Sequence, residues 1–427
     1  MNFLTYEDCL SYLASLINTQ TVRHMGAYGL ERMKQLLEKL GNPQDSYPVI
    51  HIAGTSGKWS TATICSHLLT AHDYKTGLHV SPHLINFRER VEIDNQYIDN
   101  ETFVTACQTA FPFVESMRES VRWLPSYYEA SMAVIMLCFA MAKVDVAVIE
   151  VGCGGLYDGS NCIQRSDKIS IINALGYDHT HILGETIEEI AFQKAWIILT
   201  QSTCISLLHP QPSCRQIISD IAERKNATLI RVDSAEKFDY EVSLIGRHQI
   251  TNAHLAYKAI ELFLSRQGRT IDTSKTDTAL QHISIPGRCH LTKIQWKNIL
   301  LDGAHNEQKM YSLIQTLKEY FPEKKYHFYL AFKEGKDRPT MIDAILPHAT
   351  SIAIGEFEGI QDTPFQSISS ESIKSYIDNH NDKVATSIIH PTSFITDRLA
   401  SFDKNDIIVC TGSLYRLSDL YTKRKII

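Results

Sequence analysis

Two glycines and a lysine lie where a short apolar run gives way to a longer amphipathic one. The segment VIHIAGTSGKWSTATICSHLL, residues 49–69, breaks at Gly54 and Gly57, and Lys58 follows directly. Backbone N–H groups at a helix start lack an intrahelical acceptor and lie at the positive end of the helix dipole, so they attract phosphate oxygens. The segment predicts a strand, a phosphate-binding turn and a helix, with Lys58 adding a positive charge.

This turn differs from the standard glycine-lysine phosphate loop. Only two residues separate the glycines, and Trp59 follows Lys58 where a hydroxyl residue is usual. Ser60 or Thr61 would then reach a magnesium ion on the phosphate. A helix-capping turn with an incidental lysine is the alternative, and the segment alone leaves both open.

A carboxylate ends a second apolar run. Glu150 closes the run VDVAVIE just before a glycine-rich loop. Burying a carboxylate at the end of an apolar strand is costly without a cation, so Glu150 is a candidate metal ligand, against the alternative of a solvated residue at a loop mouth. His179, beside Asp178, is weaker by itself, because a lone histidine in such a place is more often a capping or core residue.

The elements that must position these residues follow a strand–helix rhythm. Short β-branched runs alternate with longer helical patterns, which predicts an α/β fold with parallel strands joined by helical crossovers. The runs are YPVIHIAG, VDVAVIEVGCGG, KISIINALGYDHT and STCISLL, with helices at TIEEIAFQKAWIIL and at residues 215–224. After the loop SIPGRCHL the rhythm restarts with KNILLDGAHN, YHFYLAF, TSIAIGEF, TSIIH and DIIVCTGS. We therefore expect one domain over residues 1–290 and a smaller α/β domain over residues 291–427.

Bulk properties narrow the class of protein. The 427 residues are 44% hydrophobic, enough for more than one core. The net charge of −6 without long like-charged runs argues against nucleic acid as a partner. Ten scattered cysteines without a CxxC pair indicate reduced, buried thiols. The amino terminus reads as an amphipathic helix rather than a signal, and the most apolar window, Ala130 to Ala142, is too short to span a bilayer. We expect a cytoplasmic monomer that acts on small molecules and binds no membrane.

Taken together, the motifs resemble the folylpolyglutamate synthase and dihydrofolate synthase family, within the Mur-type amide ligases. The matching blocks, in the order typical of the family, are GLERMKQLLEKLGNPQ, HIAGTSGKWST, HVSPHLINFRERVEID, IEVGCGGLYDGSN, NALGYDHTHILGETIEEIAFQKA, GRHQITNAHLA, IPGR, LDGAHN and VCTGSLY. The resemblance implies a P-loop ATPase-type domain with a mostly parallel sheet and a smaller Rossmann-like C-terminal α/β domain, with the active site in the cleft between them. It also implies ATP and Mg²⁺, as one ion or two, and amide formation through an acyl phosphate.

The resemblance also assigns roles to individual residues. It places Lys58, Glu150, His179, Lys194 and Arg288 in catalysis, and Ser60, Ser81, Glu150 and His179 at magnesium. The residues it places at the nucleotide are Gly54, Thr55, Ser56, Gly57, Lys58, Trp59, Ser60, Thr61, Asn252, Arg288, Asp302 and His305. Lys194 matches a lysine that the family often carries as a carbamate, whereas the alternative is an unmodified lysine at a helix edge.

Three positions depart from the family pattern. Trp59 replaces a glycine, Ser56 an asparagine and Leu156 an arginine. We expect Trp59 to pack behind the turn rather than to crowd the nucleotide. The loss of a positive charge at Leu156 bears on an acidic acceptor, so the acceptor is the least determined part.

The expected function is an ATP-dependent ligase that joins L-glutamate to a folate or dihydropteroate carboxylate. One alternative is a related Mur-type amide ligase for a different carboxylic acid. Another is a catalytically silent ATP-binding homologue. A plain P-loop phosphotransferase would not need the second domain with its PGR and DGAHN motifs.

Overall fold

The structure is a computed structural model that describes residues 4–17, 26–118, 123–361, 364–381, 383–389 and 399–424. Its internal contacts divide the chain into two compact units. Unit 1 comprises Met1–Val242 and Thr251–Ile283, and unit 2 comprises Ser243–Ile250 and Ser284–Ile427. The boundary predicted at residue 290 stays a prediction.

Unit 1 is built on a mostly parallel sheet that, over the described residues, has eight strands. The strands are β1 (Val49–Ala53), β2 (Thr76–His79), β3 (Glu92–Ile93), β4 (Gln96–Tyr97), β5 (Val146–Glu150), β6 (Ile169–Ile172), β7 (Thr203–Leu207) and β8 (Thr228–Val232). Their order is β4-β3-β2-β5-β1-β6-β7-β8; the pairs β2–β3 and β3–β4 are antiparallel and the other pairs are parallel. The carboxyl ends of β5, β1 and β6 therefore meet at one edge of the sheet, where ligands of such folds bind.

Helices cover both faces of this sheet. They are α1 (Tyr6–Ser15), α2 (Ala27–Lys39), α3 (Lys58–Ala71), α4 (Asn100–Ser116), α5 (Tyr127–Ala142), α6 (Thr180–Leu183), α7 (Ile187–Ala195), α8 (Pro212–Arg224), α9 (Arg247–Ser265) and α10 (Thr273–Gln281). One apolar cluster packs α1, α2, α4 and α5 with residues of β1 and β5, and another packs α7 and α8 with residues of β6 and β7. Most of α5 lies inside the first cluster, which explains why its residues are apolar on nearly all sides.

Unit 2 repeats the same layering on a smaller scale. Its strands are β9 (His290–Ile294), β10 (Lys297–Leu301), β11 (Tyr326–Leu330), β12 (Ala349–Ile354), β13 (Glu358–Ile360), β14 (Pro364–Gln366), β15 (Ala385–Ile388) and β16 (Ile407–Thr411). Its further helices are α11 (Glu307–Tyr320), α12 (Arg338–Ile345), α13 (Ser370–His380) and α14 (Leu414–Arg424). The main sheet has the order β15-β12-β11-β16-β10-β9 and is parallel except at β9.

The predicted fold class, an α/β protein with a large mostly parallel sheet and a second α/β unit, is confirmed. Two local predictions need correction. His290 and Leu291, predicted as loop, begin the edge strand β9, because they pair antiparallel with β10. The polar stretch NHNDK, residues 379–383, is predicted as a loop by its composition, but α13 continues as far as His380. Of the ten cysteines, all are free and Cys153 alone is only partly buried.

Candidate active site

The turn between β1 and α3 has the backbone that close approach to an anion requires. Gly57 is the N-cap of α3 and has φ 82°, in the left-handed region that favours glycine. A Cβ there would lie 2.4 Å from Oδ1 of Asn252 and 2.5 Å from Nδ2 of Asn173. The first N–H groups of α3 have no acceptor inside the helix. The turn therefore presents an anion-binding helix end.

The first half of the turn is held by the loop that follows β6. The N–H groups of Thr55 and Ser56 donate to the carbonyl oxygen of Ala174 at 2.8 and 3.2 Å. The Thr55 hydroxyl donates to the carbonyl of Gly176 at 2.9 Å. Because these two amides already have a protein acceptor, the donors best placed for phosphate begin at Gly57. Direct nucleotide contact by Thr55 and Ser56 stays a prediction.

Two lysines converge on one carbonyl oxygen of this turn. Nζ of Lys58 and Nζ of Lys194 donate to the carbonyl of Gly54 at 3.0 and 3.1 Å. Lys194 comes from the last turn of α7 and is 4% exposed. Burial, and then the charge of Lys58, lower the pKa of Lys194 to about 7. An amine that is partly neutral near pH 7 is chemically able to act as a nucleophile.

Glu150 completes this cluster from the neighbouring strand. It ends β5, is 3% exposed and accepts a hydrogen bond from the Ser81 N–H at 3.0 Å. Its Oε1 lies 3.7 Å from Nζ of Lys58. Ser81 follows β2, which lies beside β5 in the sheet. The structure thus brings Lys58, Ser81, Glu150 and Lys194 together at the carboxyl edge, as the parallel order of their strands requires.

The oxygen groups at this edge suit a hard cation that shares its ligands with a substrate. Among the described residues, no group of three or more His, Cys, Asp or Glu side chains could enclose a metal ion. Mg²⁺ commonly keeps waters and binds one or two carboxylates together with substrate phosphates. Glu150 supplies a carboxylate of this kind, Ser81, whose N–H donates to that carboxylate, follows the neighbouring strand, and Ser60 lies in the first turn of α3. The residues present therefore fit Mg²⁺ held together with a nucleotide.

His179 lies in the loop after β6, at the start of the short helix α6. It has φ 52°, its N–H donates to Oδ1 of Asp178 at 3.0 Å, and about half of its side chain is exposed. Its role as a magnesium ligand stays a prediction.

Trp59 and Thr61, on the first turns of α3, both point into protein. Trp59 is 7% exposed, which favours packing behind the turn. The Thr61 hydroxyl oxygen is buried and accepts a hydrogen bond from Nδ2 of Asn173 at 2.7 Å. Thr61 thus has a structural partner, and its contact with nucleotide or metal is untested.

In unit 2, Asp302 organises the predicted nucleotide-binding turns. Its Oδ2 accepts from the N–H of Cys289 at 2.8 Å, and its Oδ1 accepts from the N–H of Ala304 at 2.9 Å. A Cβ on Gly303 would lie 3.4 Å from Nη1 of Arg288, so the guanidinium lies against that glycine. Asp302 therefore holds the segment around Arg288 and the segment after β10 in a fixed relation.

His305 follows in the same segment and interacts through both ring nitrogens. Nδ1 lies 2.9 Å from the carbonyl of Gly303, and Nε2 lies 3.0 Å from Nζ of Lys309. A carbonyl can only accept and an ammonium can only donate, so Nδ1 carries the proton and Nε2 accepts. Lys309, on α11, was not predicted to belong to this cluster.

Comparison with known proteins identifies the family. Residues 288–423 match the family model described as "Dihydrofolate synthetase, C-terminal domain". The chain is 31% identical to the dihydrofolate synthase/folylpolyglutamate synthase of Bacillus subtilis, over 99% of this chain and 100% of that protein. It belongs to the dihydrofolate synthase/folylpolyglutamate synthase family. The resemblance inferred from the motifs is confirmed.

Solved structures of this family have the same fold. The Mycobacterium tuberculosis folylpolyglutamate synthase complexed with ADP and AMPPCP is 28% identical, with a TM-score of 0.82 over 92% of this chain and 95% of that one. The Thermotoga maritima folylpolyglutamate synthase is 25% identical, with a TM-score of 0.81 over 98% and 97%. The likeness covers nearly the whole of each chain.

Sequence reasoning missed Asn173 at this site. The residue directly follows β6, is 2% exposed and donates from Nδ2 to both Thr61 and Asn252. A polar residue closing the apolar run KISII was a signal of the same kind as Glu150 closing VDVAVI. Its amide carries no charge, so the cost of burial pointed less clearly to a site.

Asp158, in the glycine-rich loop after β5, was also missed. It accepts hydrogen bonds from the Tyr128 hydroxyl at 3.0 Å and from the N–H groups of Cys153 and Ser160, each at 2.9 Å. These bonds fold the loop in which the family usually has arginine and this chain has Leu156. The Leu156 N–H donates to the carbonyl of Gln193 on α7 at 2.8 Å, so this departure lies beside the helix that carries Lys194.

Proposed function

We propose that this protein is an ATP-dependent ligase that forms an amide between L-glutamate and the carboxylate of a folate or dihydropteroate, through an acyl phosphate. Under this proposal, the protein acts as a folylpolyglutamate synthase, a dihydrofolate synthase or both. The observation that carries the proposal is the cluster of Lys58, Ser81, Glu150 and Lys194 around the phosphate-binding turn, in a member of this family.

The cluster suits phosphoryl transfer to a carboxylate. A carboxylate does not exchange its oxygen for an amine at neutral pH, because oxide is too poor a leaving group. Phosphorylation converts that oxygen into part of a phosphate, which the amino group of glutamate then displaces. The first N–H groups of α3 and the Lys58 ammonium are positioned to stabilise the negative charge on the transferring group.

Glu150, Ser81, Ser60 and His179 are the proposed ligands of Mg²⁺. Bound there, the metal would neutralise charge on the nucleotide phosphates. Glu150 holds its orientation through the Ser81 N–H, so the carboxylate is fixed before substrates arrive.

Lys194 is the proposed carbamate. Its neutral amine would attack carbon dioxide, forming an N–C bond and releasing one proton. The lowered pKa supports this step because the neutral form is the nucleophile. The product would replace one of two adjacent cations by an anion and relieve the repulsion between Lys58 and Lys194.

Asn252, Arg288, Asp302 and His305 are the proposed further contacts to ATP. The guanidinium of Arg288 suits phosphate oxygens. Because both Asp302 carboxylate oxygens hold backbone N–H groups, we assign Asp302 a part in shaping this contact as well as in making it.

The protein is proposed to work as a monomer in the cytoplasm, with small molecules alone as partners. No helix in the described part of the chain is long and apolar enough to cross a membrane.

The Leu156 substitution supports a second candidate, an amide ligase of the same type for a different carboxylic acid. A leucine cannot pair with an acidic acceptor as arginine can. The loop otherwise keeps the Asp158 hydrogen bonds, so only the acceptor, and not the phosphoryl transfer, would differ.

One assay tests these proposals. Purified protein is incubated with ATP, Mg²⁺ and L-glutamate, and with dihydropteroate, tetrahydrofolate monoglutamate or an unrelated carboxylic acid as acceptor. ADP release and the mass of the product are measured. Glutamate-dependent ADP release with a pterin acceptor, and a product heavier by one glutamyl residue, are expected. Turnover with only an unrelated acid would favour the second candidate, and no acceptor-dependent ADP release would refute the ligase proposal.

A further inference from the structure

We infer that Asn173 is a positioning residue for ATP, which sets the phosphate-binding turn and Asn252 in place through a single side-chain amide. The inference deepens the proposed function and rests on ATP being the nucleotide bound at this turn. Asn173 itself makes no contact with the reacting groups in this proposal.

The side chain of Asn173 uses both of its donor protons inside the protein. Its Nδ2 donates to Oγ1 of Thr61 at 2.7 Å and to Oδ1 of Asn252 at 2.9 Å. Its Oδ1 accepts from the N–H of Ala174 at 2.6 Å. An amide nitrogen has two protons, so both are committed to α3 and α9. Asn173 therefore acts on a nucleotide only through the groups that it holds.

The backbone beside Asn173 holds the other half of the turn. The N–H of Asn173 donates to the carbonyl of Ala53 at 2.8 Å, extending the β1–β6 pairing by one residue. The carbonyl of Ala174 accepts from Thr55 and Ser56, as described above. The backbone of Asn173 and Ala174 thus holds the part of the turn before Gly57. The side chain of Asn173 holds the helix that follows Gly57.

The turn packs so closely against Asn173 and Asn252 that its two glycine positions leave little room for a side chain. Gly54 and Gly57 both face Asn173, since a Cβ on Gly54 would lie 3.0 Å from its Cβ and a Cβ on Gly57 would lie 2.5 Å from its Nδ2. The same Cβ on Gly57 would come within 2.4 Å of Asn252. The side chains of the two asparagines therefore pack directly against the backbone of the turn. If either side chain moved, the first N–H groups of α3 would move as well.

Asn252 is oriented by the same contact. Because its Oδ1 accepts from Asn173, its own Nδ2 points away from Asn173. The proposed ATP contact of Asn252 is thereby fixed in one of its two amide orientations. Removing Asn173 releases that constraint together with the one on Thr61.

The test is the dissociation constant for ATP, measured by calorimetry with Mg²⁺ and without acceptor or glutamate. Asn173→Ala is expected to weaken ATP binding at least about tenfold, since misplaced donors lose much of their effect. The apparent KM for ATP should rise by a similar factor, while KM for glutamate changes less than about twofold. Ser170→Ala is the matched control, because Ser170 is fully buried on β6 and its hydroxyl donates to the carbonyl of Ile197. It should leave ATP affinity within about twofold.

Thr61→Val provides a second variant that keeps the side-chain shape and removes one acceptor of Asn173. It should weaken ATP binding by about threefold to tenfold, and its effect should not add to that of Asn173→Ala. If Asn173→Ala does not fold, Asn173→Asp replaces it, because the carboxylate keeps the shape of the side chain and lacks the two donor protons. A folded Asn173→Ala protein with native ATP affinity overturns the inference. An equal loss of ATP affinity in Ser170→Ala would also overturn it, because general destabilisation of the protein would then explain the weaker binding of both variants.

The binding measurement separates this inference from the proposed function. Wild-type protein that binds ATP but forms no amide would refute the ligase proposal, and the comparison of ATP affinities would still decide the role of Asn173. Wild-type protein that forms the amide, with unaffected ATP binding in a folded Asn173→Ala variant, would refute only the positioning role.

Discussion

Glu150 keeps a carboxylate where little water reaches it, with a backbone N–H on one oxygen and an ammonium 3.7 Å from the other. Burying a carboxylate costs free energy that a nearby positive charge offsets. A metal ion bound here would add to the offset that Lys58 provides. The charge of Glu150, rather than its shape, should therefore be what function requires.

We predict that Glu150→Gln folds but loses ligase turnover by on the order of 100-fold or more, because it removes a charge at the proposed metal while keeping the side-chain shape. The measurement is glutamate-dependent ADP release at saturating Mg²⁺. Glu92→Gln is the control, since Glu92 is another poorly exposed carboxylate of the same sheet but lies on β3. Native turnover in Glu150→Gln would dismiss Glu150 as a ligand.

Lys194 is predicted to need carbon dioxide. Protein prepared and assayed without bicarbonate should lose most of its turnover and regain it on adding bicarbonate, and ¹³C-bicarbonate should produce a carbamate signal. Lys168→Met is the matched control, because burial also lowers the pKa of Lys168 to about 7, but that lysine precedes β6 at the opposite end of the strand from Asn173. The variant should retain the bicarbonate response, whereas Lys194→Met should show neither the response nor the signal. Wild-type turnover that is indifferent to bicarbonate would remove the carbamate proposal.

At the scale of elements, the sequence predicted the strands that precede the phosphate-binding turn, Glu150 and Asn173, but missed β2, which precedes Ser81, and the strands β3, β4 and β8 towards the edges. β1 and β5 are buried on both faces and therefore read as continuous apolar runs. β4 has two residues, both exposed, and β8 is mostly exposed or half-buried, so neither leaves a periodic pattern. The β13–β14 hairpin pairs residues only four to eight positions apart, but its three-residue strands are too short to show an alternating pattern.

The site shows the same division. Lys58 and Glu150 were predictable because a charge at the end of an apolar strand has few structural explanations. The contact between Asn173 and Thr61 joins residues 112 positions apart, and the contact with Asn252 joins residues 79 positions apart. Uncharged side chains that meet only through sheet order leave no spacing signal. Such positions become visible only once the strands are ordered.

The first turn of α3 carries Trp59, a bulky residue directly beside the phosphate-binding turn, and its packing can be tested by substitution. Trp59→Gly should lower the free energy of unfolding by about 3–5 kcal/mol through lost burial and by a further 1 kcal/mol or so through poor helix propensity. ATP affinity should change little, because we expect the nearly buried indole to pack behind the turn rather than against the nucleotide. Trp296→Gly is the control: Trp296 is 88% exposed and has φ 67°, so glycine there should cost no stability. Tighter ATP binding by Trp59→Gly with unchanged stability would contradict the packing account.

A buried ion pair joins α2 to α5. Nε and Nη2 of Arg32 donate to the two carboxylate oxygens of Glu129, each at 2.8 Å, and both side chains are nearly inaccessible. We predict that Arg32→Met costs about 3–5 kcal/mol, because it leaves a buried carboxylate without its partner, whereas Arg32→Met with Glu129→Leu recovers much of the loss. Urea unfolding of the two variants is the measurement. A double variant less stable than Arg32→Met would show that the N-capping bond from Ser126 N–H to Glu129 outweighs the unpaired charge.

At the scale of the whole molecule, the two compact units have separate apolar cores, so a single unfolding transition need not describe the chain. Tryptophan fluorescence distinguishes them, because Trp59, Trp123 and Trp196 lie in unit 1 and the exposed Trp296 lies in unit 2. A change in fluorescence on unfolding therefore reports mainly unit 1. A stability effect that belongs to unit 1 can be followed without assuming that both units unfold together.

Glu92 provides such an effect through its pKa. Burial, and then the charge of Glu89, raise the pKa of Glu92 from 4.5 to about 7. The folded state therefore holds the proton more tightly than the unfolded state, and this contribution to stability is present in full below about pH 4.5 and is lost as pH rises through about 7. Since glutamine resembles the protonated acid, Glu92→Gln should stabilise unit 1 by about 2–3 kcal/mol at pH 8 and by little at pH 4.5. Urea unfolding followed by tryptophan fluorescence at both pH values measures the difference, with Glu223→Gln, at an exposed position on α8, as the control that should show no such pH dependence. A stabilisation of equal size at both pH values would mean that the amide acts by packing or hydrogen bonding, and the titration of Glu92 would then not govern the stability of unit 1.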